Sequence, residues 1–405
     1  MREAFKKKNR WAHLLIWTLF KLPLRLLLKW KLGYRYEKVD NPPEPCFVVC
    51  NHTCNWDPLL AALPFRRQMY FVAGEQLSRM GFASRLIGLL ADPIYRLKAR
   101  TEARSAAEIL QCVRAGYSVC MFPEGSCTWD GRTAPAYAGT GRLVRKCGVP
   151  LYIYRIEGGY FTLPRWSKSI RKGNLEGALA AWYPARELAG MTDEEIDRRI
   201  AEHLAADAYA YESAHPGARK CGRRAESLEA ALYLCPACGK MGAFRSKGDQ
   251  LVCSACGLTL ILDEQMKFKT AGGGEPPFPD IGEWVRWQKA RTAKIGPELA
   301  ELPPETCLTS DSGVTLRTYL PGAPQKSLGS GTLSLYPDRL AFAAEGGETF
   351  SFPLSELSDI STMLQCRLEF CCAGIYYETL PEAPYSALKY AQLAGAMNEK
   401  TRVMI

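Results

Sequence analysis

Two side chains five positions apart carry the first chemistry in this 405-residue chain. They lie in Asn51-His52-Thr53-Cys54-Asn55-Trp56-Asp57-Pro58. An imidazole held by a carboxylate is the usual means of making a general base near neutral pH. The carboxylate fixes the tautomer and stabilises the imidazolium that forms when a proton is taken. The apolar run Cys46-Phe47-Val48-Val49 before the pair reads as a short buried strand, and Leu59 to Leu63 after it as a short helix opened by Pro58. His52 then sits just off a strand end and Asp57 at a helix start. The competing reading makes Asp57 a helix N-cap and His52 a half-buried turn residue.

A second cluster is Cys235-Pro236-Ala237-Cys238-Gly239 with Cys253-Ser254-Ala255-Cys256-Gly257. Two C-x2-C pairs, each followed by glycine, give two tight knuckles that aim four thiolates at one tetrahedral ion. The reading is a structural zinc ribbon held by Cys235, Cys238, Cys253 and Cys256, with a rubredoxin-like iron site as the rival. No dense basic and aromatic face accompanies the ribbon, so a structural or docking role is expected and nucleic acid is not.

Other segments must position these groups. From about Tyr34 to Ala185 short apolar runs alternate with helical patterns, the mark of an α/β domain. Strands are expected at Tyr70 to Ala73, Tyr117 to Phe122 and Val149 to Ile156, with a helix over Thr101 to Ala115. The strand at Met121-Phe122 runs into Pro123-Glu124-Gly125-Ser126, which presents a carboxylate on a tight loop at a strand end. Pro93-Ile94-Tyr95-Arg96 places an arginine at the end of another short strand. As ordinary surface features, Glu124 would be a solvated turn residue and Arg96 a salt-bridge partner.

Asn51-His52-x4-Asp57, Ile94-Tyr95-Arg96, Phe122-Pro123-Glu124-Gly125 and Val149-Pro150-Leu151 follow one another in an order and spacing that resemble the four motif blocks of the glycerolipid acyltransferases, a family that includes the 1-acylglycerol-3-phosphate acyltransferases. The resemblance covers roughly the first half of the chain. It implies a mixed sheet flanked by helices, with an acyl-donor tunnel and membrane-side access for a lipid acceptor. It implies His52 as the base that deprotonates the acceptor hydroxyl and Asp57 as its orienting partner. Arg96, Glu124, Gly125 and Ser126 become the acceptor-binding set, Gly125 by letting backbone approach. The donor is an acyl thioester, acyl-CoA or acyl carrier protein, and the transfer step needs no cofactor. One departure concerns the acceptor: the family usually has an arginine where Cys127 stands, so a phosphate contact is missing, and Arg132, Arg142 and Arg165 are the nearby candidates to supply it.

The charge distribution points to lipid. The formal net charge is +10, and Arg2, Lys6, Lys7, Lys8, Arg10, Lys21, Arg25, Lys29, Lys31 and Arg35 crowd the start among Trp11, Leu14, Leu15, Trp17, Phe20, Leu22, Leu26 and Trp30. This pattern predicts a helix or helical hairpin in the interface of an anionic membrane. Lys21, Pro23, Arg25 and Lys29 interrupt the run, so a spanning helix and a secretory signal are not expected. The 16 cysteines, several of them in apolar strands, fit a reducing cytosol.

The resulting expectation is an α/β chain in five parts. Residues 1–33 are an amphipathic membrane-interface segment and 34–215 the acyltransferase domain. Residues 216–265 are linker and zinc ribbon, 266–312 a linker with a helix, and 313–405 a β-rich domain closed by a helix. That last part looks like a pleckstrin-homology-type barrel. The expected function is a peripheral membrane acyltransferase on the cytoplasmic face of the cell membrane, acting on a lysophospholipid or related lysolipid. The alternative is a non-catalytic lipid-binding or regulatory scaffold whose ribbon engages a partner.

Overall fold

The computed structural model describes residues 9–40, 42–79, 82–96, 102–217, 219, 221–319 and 325–398. The chain divides into two compact units. The first is 1–164 with 170–219, and the second is 165–169 with 220–405.

The first unit is built on seven strands: β1 (Tyr34–Tyr36), β2 (Phe47–Cys50), β3 (Tyr70–Gly74), β4 (Ile94–Arg96), β5 (Val119–Met121), β6 (Leu151–Glu157) and β7 (Leu175–Tyr183). Their spatial order is β1-β7-β6-β2-β5-β3-β4. The strands β6, β2, β5, β3 and β4 run parallel, while β7 is antiparallel to β6. A parallel core is covered on both faces, which explains why β2 reads Phe-Val-Val-Cys with no polar alternation. Val48 and Cys50 enter one core, and Phe47 and Val49 the other. The mixed sheet flanked by helices is the architecture expected from the sequence.

Parallel strands leave their loops on one edge, so the carboxyl ends of β2, β5 and β4 bring His52, Glu124 and Arg96 to the same side of the sheet. Two helices fall close to where the sequence places them, Asp57–Ala62 after β2 and Glu102–Arg114 before β5, and another, Asp193–Leu204, lies beyond β7. Thr192 caps the last of these through its hydroxyl to the Glu195 amide at 3.1 Å. A further helix over Ala208–Ala214 follows, capped by Asp207, whose Oδ1 accepts from the Tyr209 and Ala210 amides.

The basic N-terminal stretch is one helix, Arg10–Leu32, with Pro23 inside it and Gly33 as its left-handed cap. One side is buried: Leu28 and Leu32 belong to the core beneath β2, and His13 Nδ1 bonds the Tyr70 hydroxyl at 3.1 Å. The other side is apolar and bare, with Trp11 83% and Trp30 73% exposed and Leu15, Leu19, Leu22 and Leu26 between them. At 100° per residue these six fall on one arc with Arg25 and Lys29 at its margin, while Lys21 lies on the packed side and donates to the Phe65 carbonyl. The expectation that no stretch is long and apolar enough to span does not hold. Trp11–Leu32 passes by length and composition, since Lys21 and Arg25 alone interrupt its first 18 residues.

The second unit holds two sheets. β8 (Phe244–Lys247), β9 (Gln250–Cys253), β10 (Thr259–Leu262) and β11 (Phe268–Thr270) form an antiparallel meander carrying the cysteine knuckles. The other sheet contains β12 (Thr309–Tyr319), β13 (Lys326–Leu335), β14 (Arg339–Ala344), β15 (Thr349–Pro353), β16 (Leu357–Met363), β17 (Arg367–Cys372) and β18 (Ile375–Pro381). Its order is β15-β14-β13-β12-β18-β17-β16, antiparallel throughout, and the helix Ala387–Met397 packs into its core. This is the strand-rich region closed by one helix that the sequence predicts. A helix over Ile281–Ala300 joins the two sheets: Trp284 Nε1 donates to the Leu234 carbonyl, and the Tyr233 hydroxyl meets both Thr292 and Gln392.

Candidate active site and metal centre

Asp57 is fully buried and gathers donors from the turn that precedes it. Its Oδ2 accepts from His52 Nδ1 at 2.9 Å and from the Thr53 and Cys54 amides at 2.5 and 2.8 Å, and its Oδ1 accepts from the Thr53 hydroxyl at 2.9 Å. A carboxylate with this many donors stays rigid, and a rigid acceptor fixes the imidazole. The helix starts at Asp57 with Trp56 as its cap, so Asp57 closes the turn rather than capping the helix. Gly159 lies against this turn. A Cβ there would fall 2.0 Å from the Thr53 hydroxyl, so only glycine leaves that hydroxyl in place.

With Asp57 on Nδ1, the ring proton is assigned to that nitrogen and Nε2 is the basic atom. The His52 side chain keeps 18% exposure, against none for Asp57. Phe122 stacks on the imidazole with centroids 4.5 Å apart. Burial pushes the His52 pKa down, but the neighbouring Cys127 sulfur and the Asp57 carboxylate more than offset it, and the net direction is well above the ordinary histidine value. Elsewhere, His13 bonds Tyr70, His203 Nε2 bonds the Tyr183 hydroxyl at 3.0 Å and His215 Nδ1 bonds its own helix at Tyr211. Those three are held by packing roles.

Glu124 is buried, and both of its oxygens face backbone. Oε1 accepts from the His52 amide at 2.7 Å and Oε2 from the Ala134 amide at 2.8 Å. Burial raises its pKa to about 7 against the opposing pull of those two N–H groups. The Thr128 amide donates back to the His52 carbonyl at 3.1 Å. Two bonds in opposite directions therefore lock the loop after β2 to the loop after β5.

Gly125 has φ +75°, and a Cβ there would lie 2.1 Å from the Tyr137 ring. The close neighbour of Gly125 is the Tyr137 ring, and the Tyr137 amide bonds the Pro123 carbonyl at 2.8 Å. Tyr137 in turn carries Arg96, whose guanidinium sits 4.0 Å above the ring centroid. Arg96, Tyr137 and Gly125 form one wall beside Glu124, and Ser126 follows on the same loop, half-buried. The sequence names Phe122 only as the first residue of a motif block, with no role toward His52, and does not single out Tyr137. Neither is near His52 in the chain, and no spacing rule links them to it.

The three arginines proposed as substitutes near Cys127 have other placements. Arg132 pairs with Asp207 at 2.7 Å and Arg142 is exposed on the helix Thr140–Cys147. Arg165 belongs to the second unit, where it donates to the Thr362 carbonyl at 2.5 Å and the Leu364 carbonyl at 3.1 Å. Cys127 itself is buried, with its sulfur 3.4 Å from His52 Nδ1 and 3.6 Å from Nε2.

Cys235, Cys238, Cys253 and Cys256 have their sulfurs all within 4.8 Å of one another. Two of the six edges measure 3.7 and 3.9 Å. A Zn–S bond of ~2.3 Å gives a tetrahedral edge of about 3.8 Å, so the donor set fits that ion. Each knuckle is closed by a glycine in the left-handed region, Gly239 at φ +71° and Gly257 at φ +77°. Their amides bond the Cys235 and Cys253 carbonyls at 2.9 Å. Four thiolates complete a tetrahedron with no position left for water, which is the structural rather than the catalytic pattern.

The acyltransferase family model matches residues 34–156, the segment from β1 to the end of β6. The chain is 25% identical over 163 residues to the chloroplastic 1-acyl-sn-glycerol-3-phosphate acyltransferase BAT2 of Brassica napus, covering 40% of this chain and 44% of that protein. It is 23% identical over 169 residues to the chloroplastic 1-acyl-sn-glycerol-3-phosphate acyltransferase LPAT1 of Arabidopsis thaliana, over 41% and 44% respectively. The chain thus spans less than half the length of these curated relatives. Among solved structures, the 1-acyl-sn-glycerophosphate acyltransferase PlsC from Thermotoga maritima aligns at 19% identity with a TM-score of 0.42, over 53% of this chain and 86% of that one. Three of the motif blocks sit at the carboxyl ends of β2, β4 and β5, the fourth, Val149-Pro150-Leu151, lies at the amino end of β6 opposite Phe47, and residues 34–156 match the acyltransferase family.

Proposed function

We propose that this protein is a glycerolipid O-acyltransferase of phospholipid synthesis or remodelling, moving a fatty acyl group from a thioester to the hydroxyl of a lysophospholipid or related lysolipid. The observation that carries the reading is the His52–Asp57 pair: a 2.9 Å bond to a fully buried carboxylate, with the imidazole still open to the outside. His52 Nε2 takes the proton of the acceptor hydroxyl as its oxygen attacks the acyl carbonyl. Asp57 holds the ring and stabilises the imidazolium. The wall of Arg96 on Tyr137 supports the acceptor's anionic group, and Glu124 holds the base rather than the substrate.

The donor is acyl-CoA or acyl carrier protein. The acceptor enters from a membrane surface, where the bare apolar arc of the helix Arg10–Leu32 lies in the interface and its flanking cations meet anionic headgroups. The site of action is the cytoplasmic face, with the protein peripheral. Zinc in the ribbon is structural.

The purified protein, offered acyl-CoA and acyl carrier protein donors with several lysolipids, is expected to yield an acylated lipid product that His52→Ala fails to make. Acceptors with an esterified phosphate or none are expected to be used better than lysophosphatidic acid. Among the described residues Arg96 is the cation that the motif blocks match to a phosphate, and a phosphate monoester is best gripped by more than one. A strong kcat/KM preference for lysophosphatidic acid overturns the acceptor assignment, and no product with any pair overturns the reading.

A further inference from the structure

We infer that Cys127 is a catalytic nucleophile, and that the acyl group passes through a thioester on its sulfur before it reaches the acceptor. The inference deepens the acyltransferase reading above and rests on it. Its ground is a chain of three groups, Asp57, His52 and Cys127, assembled from loops on two different strands. Asp57 takes His52 Nδ1 at 2.9 Å, and the Cys127 sulfur lies 3.4 and 3.6 Å from the two ring nitrogens. Near-equal distances to both nitrogens put the sulfur over the imidazole, not in line with either lone pair. Catalytic hydrogen bonds in a site without substrate are commonly long or poorly aligned and tighten once substrate binds.

The placement is fixed by backbone. The Thr128 amide donates to the His52 carbonyl at 3.1 Å, so the residue before it is held beside the ring. Asn55, from the His52 turn, offers its Oδ1 to the same sulfur at 3.6 Å. Cys127 is only 5% exposed, which keeps water from a thioester formed there, while the exposed edge of His52 gives the donor carbonyl a way in. The Asp57 carboxylate on Nδ1 favours the imidazolium that forms when Nε2 takes a proton.

The steps balance. The Cys127 thiol gives its proton to His52 Nε2, and the thiolate attacks the acyl carbonyl of the donor. The donor's carbon–sulfur bond breaks, and its departing sulfur takes the proton from His52. One thioester replaces another, so nothing is oxidised or reduced. In the second half His52 Nε2 takes the proton of the acceptor hydroxyl, whose oxygen attacks the acyl group on Cys127. The carbon–sulfur bond to Cys127 breaks, and the sulfur recovers the proton from His52. His52 thus acts in both halves, and the two substrates need not occupy the site together.

The test uses the full chain with palmitoyl-CoA and, separately, palmitoyl-acyl carrier protein, in the absence of any lysolipid. Isotopically labelled CoA, or labelled carrier protein, is added to read exchange of the thiol into unlabelled donor. The expected result is exchange, together with one palmitoyl group on the Cys127 peptide that neutral hydroxylamine removes. Cys127→Ala is expected to lose the adduct and to slow both exchange and lipid acylation by about 100-fold or more, the usual order for a nucleophile or base. Its folding is checked by thermal melting and by the metal content of the ribbon.

The inference is overturned if the wild type acylates a lysolipid but gives neither exchange nor adduct. It is overturned equally if folded Cys127→Ala acylates at the wild-type rate. An adduct on Cys127 with no lipid product from any lysolipid leaves this inference standing and removes the acceptor class proposed above. Neither adduct, exchange nor lipid product removes both.

Discussion

The backbone amide of His52 donates to Glu124 Oε1 at 2.7 Å, across 72 positions of sequence. The Glu124 side chain thus supports the His52 turn. Its other oxygen is filled by the Ala134 amide, so the loop after β5 is tied to His52 at one end and to its own continuation at the other.

That role has a pH signature. Burial holds Glu124 at about 7, against 4.5 for an ordinary glutamate, so the folded chain keeps a proton that the unfolded chain has already lost. Between those values the native state binds more protons than the unfolded one, and stability falls as pH rises. Wild type should therefore lose about 3 kcal/mol relative to Glu124→Gln between pH 4.5 and 7, at 1.36 kcal/mol per unit. Denaturant melts of both proteins across that window measure it. A difference that stays flat with pH would remove the assignment.

Removing the base should stop chemistry and spare the fold. His52→Ala is expected to lower kcat by about 10²–10⁴-fold, the usual contribution of a positioned base. Asp57→Asn should lower kcat comparably and also destabilise the turn, because an amide cannot accept all the bonds that Asp57 accepts from His52, Thr53 and Cys54. Steady-state kinetics paired with thermal melts separates the two residues. An active His52→Ala would end the assignment.

The arginine wall gives a different kinetic pattern. Gly125→Ala places a methyl where the Tyr137 ring now lies and forces a residue with a Cβ to adopt φ +75°. Strain of that kind costs on the order of 1–3 kcal/mol. Displacement of Tyr137 also moves Arg96, so KM for a phosphate-bearing acceptor should rise more than kcat falls. A kcat loss with unchanged KM would place the wall outside the acceptor site.

Metal removal should be felt as folding. With all four donors on the ribbon, the purified protein should hold about one zinc per chain. Chelation should lower the melting temperature of the second unit, since Tyr233 and Leu234 beside the first knuckle bond Thr292, Gln392 and Trp284. Elemental analysis and calorimetry with and without a strong chelator decide it. Iron, or no shift on chelation, would count against a structural zinc site.

Membrane binding should follow the bare arc of the first helix. Leu19 and Leu26 are each about 60% exposed there. Replacing both by glutamate forfeits roughly 1.5–3 kcal/mol of apolar burial apiece, so binding to anionic vesicles should weaken by about 100-fold or more. Salt should weaken the wild type as well, because Lys29 and Arg25 sit at the arc's margin. Point changes suit this test better than truncation, since Leu28 and Leu32 on the same helix belong to the core. Unchanged vesicle binding of the double variant would move the attachment elsewhere.

The sequence by itself determined what is short-range. His52 and Asp57 meet because a strand, a tight turn and a helix opened by Pro58 leave their side chains little freedom to part. The cysteine knuckles are legible for the same reason, each being a turn of a few residues closed by Gly239 or Gly257. The ordered motif blocks added Arg96 and Glu124 as site residues, although not what each one holds. Only the tertiary structure decided that Glu124 supports the His52 backbone, that Tyr137 fills the space over Gly125, and that Cys127 rests on the imidazole. Arg165 reads as a local basic residue, yet its partner Thr362 lies 197 positions away. These pairings depend on which strands stand side by side and in what register, and strand order is a property of the whole sheet. Residues that meet at the ends of parallel strands share no local pattern, so nothing in the neighbourhood of Glu124, Cys127 or Tyr137 could announce the contact.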